Sequence, residues 1–66
     1  MYRASKLHAI EHQIHVISRE NQDYWREMLT LESLFHPRMY ELEKLVSVNN
    51  RDILALEARR ARCLSN

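Results

Sequence analysis

At 66 residues the chain has room for one small domain and buries too little apolar surface to be comfortably stable without a staple or a partner. It has no glycine, one proline and one cysteine; tight turns, phosphate-cradling loops and β-hairpins therefore lose the residue they depend on, and an intrachain disulfide is excluded. Ten Lys and Arg against nine Asp and Glu, scattered along the chain, leave no broadly basic face for nucleic acid.

The N-terminal "MYRASKLHAI" lacks the basic-then-apolar order of a signal peptide, and no apolar run approaches the roughly 20 residues needed to cross a bilayer. The expectation is an intracellular, cytoplasmic protein with no membrane partner. From Leu7, alternating steps of three and four residues reach Ile10, Ile14, Ile17, Asn21, Tyr24, Met28, Leu31 and Phe35. All but Asn21 are apolar, which is the a and d pattern of a coiled-coil seam. Asn21 falls at an a position, where a buried amide satisfies itself against its counterpart in a parallel, in-register dimer; the alternative is that it faces water in an antiparallel bundle.

Pro37 interrupts this pattern. Beyond it the register restarts at Met39 and continues through Leu42, Val46, Asn49, Ile53, Leu56, Arg60 and Cys63, a four-residue stutter that tolerates a proline kink. The rival arrangement is a helical hairpin folding at "FHPR", disfavoured because neither Phe35 nor His36 is a good N-cap and no glycine is available to reverse the chain. The expected fold is all-α: a long helix kinked near Pro37 that forms a parallel coiled-coil dimer, or a wider helical bundle. As a single interaction module over 1–66, it divides into a zipper at 3–35, a kink at 36–38 and a second helical segment at 39–64. A further weak point lies at 49–50, where Asn49 or Asn50 could cap a separate last helix.

The histidines invite a different reading. His8, Ala9, Ile10, Glu11 and His12 spell H-x-x-E-H, the zinc string of inverzincin metalloproteases. On the heptad, however, His8 and His15 take b positions and His12 an f position, all outward, while Ile10 points into the seam. His8 and His12 are spaced to chelate one zinc ion, with His15 or Cys63 as further candidate ligands, but the third ligand and the water-excluding cleft of an enzyme are missing. Cys63, at a d position, reads equally as a small buried apolar side chain. No Ser-His-Asp set, acid pair or cofactor motif appears, so no catalytic or cofactor-binding residue is assigned. The arginines of "RRAR" at 59–62 suit the end of a helix, where they interact favourably with its dipole.

Apolar residues also lie outside the seam. Trp25 at an e position, Leu29 at b, Leu34 and Leu45 at g, and Tyr40 make the stretch from Tyr24 to Tyr40 a candidate docking surface for another helix, or part of the core of a wider bundle. With its Asn21-marked zipper, the "LFHPRMYELEKLV" kink and the "CLSN" ending, the glycine-free chain resembles the terminal helical modules of centrosomal and cytoskeletal scaffold proteins, those of the centrosomin type among them. The resemblance covers the whole chain, rests on architecture and assigns no site residue. It implies a module that dimerises and docks onto a zipper elsewhere in a scaffold to build a lattice, at the centrosome or cytoskeleton.

The residues thus point to a non-enzymatic protein-interaction module that homodimerises, or forms a tetramer, and joins another helical segment. The alternatives are a zinc-stapled helical assembly and a small helical-hairpin regulator that inhibits a partner enzyme.

Overall fold

The computed structural model describes residues 2–31 and 35–65, with side chains from residue 5 onward. It is all-α. Helix α1 runs Tyr2–Thr30 and helix α2 runs Pro37–Ser65, each 29 residues long. The molecule measures 49 × 14 × 12 Å. A continuous rod of some 64 residues would be about 95 Å long, whereas one 29-residue helix is about 43 Å. The chain therefore folds back on itself, and the two helices pack side by side in opposite directions.

The all-α class and the interruption at Pro37 are as the sequence suggests, but the interruption is a reversal rather than a kink in a rod. Pro37 has no N–H and its ring clashes with the carbonyl four residues back, so α1 cannot run through it; as the first residue of a new helix it loses nothing. His36 supplies the cap that the sequence reading denied it. Its Nδ1 accepts a hydrogen bond from the Arg38 N–H at 3.0 Å, and its carbonyl accepts one from the Met39 N–H at 2.9 Å. At the other end, the Leu31 N–H donates to the Met28 carbonyl at 3.2 Å, tightening the last turn of α1. No described residue has positive φ, so this part of the reversal requires no glycine. Helix α2 continues unbroken through Asn49 and Asn50.

The seam read from the sequence is the hairpin's own interior. Ile10, Asn21, Met28, Met39, Leu42, Val46 and Leu56 are buried, and Leu7, Ile14, Ile17, Tyr24, Leu31, Ile53 and Cys63 are half-buried. Met28, Met39 and Leu42 cluster next to the turn, with Tyr24 and Leu31 against them. Phe35 is the exception. It belongs to the turn rather than the seam and is 84% exposed, because α1 ends before reaching it.

Leu42 has no exposed surface, and truncating a leucine in such a place costs about 2–5 kcal/mol. Leu42→Ala should lower the denaturation midpoint sharply in a urea titration, whereas Lys44→Ala, at an exposed position, should leave it within about 0.5 kcal/mol of the parent.

Candidate protein-interaction surface

Polar contacts between the helices set the register and give the two flanks of the hairpin different characters. Arg38 holds Glu27 with two bonds, Nε to Oε2 at 2.6 Å and Nη2 to Oε1 at 3.1 Å, and donates through Nη1 to Glu41 Oε2 at 2.8 Å. Farther along, Glu20 Oε1 accepts both from Asn49 Nδ2 and from the Tyr24 hydroxyl, each at 3.0 Å. These groups shift one another's protonation. The hydrogen bond from Arg38 holds the Glu27 carboxyl below its ordinary value of 4.5 despite some desolvation. Its bonds to Glu27 and Glu41 raise the Arg38 guanidinium further. The bond to Glu20 raises the Tyr24 hydroxyl.

In the middle of the seam, Asn21 Nδ2 donates to Asn50 Oδ1 at 3.0 Å. Asn21 therefore finds a polar partner within its own chain, and the expected pairing with a second Asn21 is not what satisfies its amide here. Its Oδ1 is buried without a hydrogen-bond partner, an acceptor whose desolvation costs about 1–3 kcal/mol.

A two-residue step along a helix turns about 200°, and this locates the other flank. Trp25 lies two residues before Glu27 and Tyr40 two residues after Arg38, so both face away from the Arg38 clasp. Leu29, four residues on from Trp25, shares its side. Leu54 lies two residues after Asp52, which lines a shallow groove with Gln13, Ile17, Ala55, Leu56 and Arg59 on the clasp flank; Leu54 therefore belongs with Trp25. Trp25 is 54% exposed, Leu29 84%, Tyr40 67% and Leu54 68%. The sequence grouped Trp25, Leu29, Leu34, Tyr40 and Leu45 as one docking surface. The structure places Trp25, Leu29 and Tyr40 on one flank and Leu45, seven residues from Arg38, on the other. Leu34 lies outside the described residues. Leu54 and Asn50 were missed, because each was judged against a rod rather than against a facing antiparallel helix.

His8, His12 and His15 are exposed and Cys63 is a half-buried free thiol near the end of α2. Among the described residues no group of three or more His, Cys, Asp or Glu gathers in a geometry that could hold a metal ion. Ile10, within the H-x-x-E-H string, is buried in the seam. Arg62 occupies the last turn of α2, as the dipole reading of "RRAR" expects. No described helix is long and apolar enough to cross a membrane. The chain matches no protein-family model, no curated protein and no solved structure.

Because the folded carboxyl of Glu27 titrates below its unfolded value, its pairing with Arg38 stabilises the hairpin fully above the ordinary carboxylate range, and this is lost as pH falls through the depressed value. Glu27→Gln should lower the thermal midpoint at neutral pH by a few degrees. It should also flatten the fall in midpoint between neutral and acid pH relative to the parent, measured by circular dichroism.

Proposed function

We propose that the chain is a non-enzymatic protein-interaction module: a helical hairpin that presents the Trp25 flank to a further helical element. One observation carries the reading. Trp25, Leu29, Tyr40 and Leu54 are exposed on a flank that takes no part in the Arg38 or Glu20 networks holding the helices together. Tryptophan and tyrosine are favoured interface anchors, and a stripe with i, i+4 spacing is the pattern by which an amphipathic helix is recognised. The hairpin's seam is filled by its own two halves, so association is assigned to this flank and not to the a and d positions. Within a larger assembly, such a hairpin would dock onto a zipper elsewhere in the scaffold, the role that the scaffold resemblance implies. A hairpin regulator of an enzyme would use the same flank and differ only in its partner.

The alanine double variant Trp25→Ala with Leu29→Ala tests the reading. Neither side chain is buried in the hairpin, so helicity and thermal midpoint of the isolated chain should stay near the parent values at low concentration. Association with a helical partner should weaken at least about thirtyfold, as truncating a buried aromatic anchor commonly costs 2 kcal/mol or more. A variant that loses its helicity would place both residues in the hairpin's own packing and refute the assignment.

A further inference from the structure

We infer that the occupant of the Trp25 flank is a second copy of this chain, laid antiparallel to the first so that two hairpins complete a four-helix bundle. The inference rests on the flank assignment above and adds what covers it.

Surface area supplies the first argument. The hairpin exposes 5460 Å², whereas a folded monomer of 8.0 kDa exposes about 4,450 Å². The surplus, about 1,000 Å², is close to the roughly 800 Å² per partner that a standard specific interface covers. It arises because two helices bury only one stripe each, leaving one fully buried large side chain, Leu42, among the described residues. A second hairpin against the flank removes that surplus.

The distribution of apolar residues along the flank supplies the orientation. Trp25, Leu29 and Tyr40 lie beside the turn. Leu54 lies near mid-rod, and Ala61 and Leu64, seven and ten residues beyond it, continue the same flank to the open end. A two-fold axis perpendicular to the rod at its middle sets α1 on α1 and α2 on α2, which lays Tyr40 of each copy over Ala61 and Leu64 of the other and brings the two Leu54 side chains near the axis. A two-fold axis along the rod instead packs α2 of each copy on α1 of the other and parts the two Leu54 side chains onto diagonal helices. The chain carries a net charge of +1, so a pair of copies meets no general electrostatic barrier. The opposite flank is less suited, since its Val16, Leu45 and Val48 are interleaved with the Glu20, Glu27, Arg38 and Glu41 side chains already bonded to one another or to the facing helix.

Sedimentation equilibrium of the whole chain from about 1 to 100 μM, with circular dichroism on each sample, tests the pairing. The parent should reach the mass of a dimer, and Leu54→Glu should weaken dimerisation at least about thirtyfold while leaving the helix signal intact. Val16→Glu, on the clasp flank, should leave the dimer unchanged. For orientation, Ser65→Cys in a Cys63→Ser background carries a spin label at the open end. The antiparallel pair places the two labels about 40 Å apart, one helix length, and a separation under about 20 Å would overturn that arrangement. A chain that stays monomeric at the highest concentration overturns self-pairing, while the Trp25 flank stands or falls by partner binding of the alanine double variant. A dimer that survives Leu54→Glu is held elsewhere, and overturns both the pairing and the flank as the interaction surface.

Discussion

The reversal at Pro37 is the constraint on which the other features depend. Pro37 stops α1 from continuing, and the His36 cap starts α2 in the new direction. Once the chain has turned, each half finds the other's apolar stripe tethered within reach. A short tether gives the two stripes an effective concentration in the millimolar range, far above that of a second chain at micromolar concentration. The same heptads that would zip two rods together are therefore satisfied first within one chain. The contacts nearest the turn gather Met28, Met39 and Leu42 into one buried cluster, at a place where loop closure is short and entropy loss small.

Apolar stripes alone leave two helices free to slide, because leucine and isoleucine fit one another at several offsets. The polar pairs remove that freedom. Asn21 can meet Asn50, Glu20 can meet Asn49, and Glu27 can meet Arg38 simultaneously in one register only. A slip of one turn would leave the Asn21 amide buried and wholly unpaired, at a cost of a few kcal/mol. The pair is an imperfect device even in register, since Asn21 Oδ1 stays unpartnered. A single buried amide gives up some stability in exchange for specifying one alignment, the use best attested for such residues in coiled coils.

Much of this was legible before the structure, and the part that was not has a definite cause. The helical class, the seam from Leu7 to Leu31 and from Leu42 to Leu56, the outward histidines and the inward Ile10 follow from spacing alone, because side-chain direction on a helix is fixed by its period. Chain reversal is a different kind of fact. It turns on whether His36 can cap a helix, and a ring nitrogen accepting an N–H is a weaker sequence signal than Ser, Thr, Asp or Asn at that position. From that single misjudgement follow the others: Asn21 was matched with its own copy instead of Asn50, Phe35 was counted in a seam that ends before it, and Leu45 was grouped with Trp25 although seven residues separate it from Arg38 on the opposite flank.

The asymmetry of the two flanks bears on how an assembly of such hairpins would stop growing. An apolar stripe on a helix is wide enough to face more than one neighbour, so a two-helix hairpin that were sticky on both sides would recruit copies without limit. Here one side is occupied by the Glu27–Arg38–Glu41 and Glu20–Asn49 contacts, whose charged and amide groups prefer water to a second apolar surface. The Trp25 side takes no part in those contacts and exposes Trp25, Leu29, Tyr40 and Leu54. A single adhesive face that pairs with its own copy about a two-fold axis is an isologous contact, and isologous contacts close. Pairing confined to the Trp25 side would thus give a discrete dimer rather than an open array.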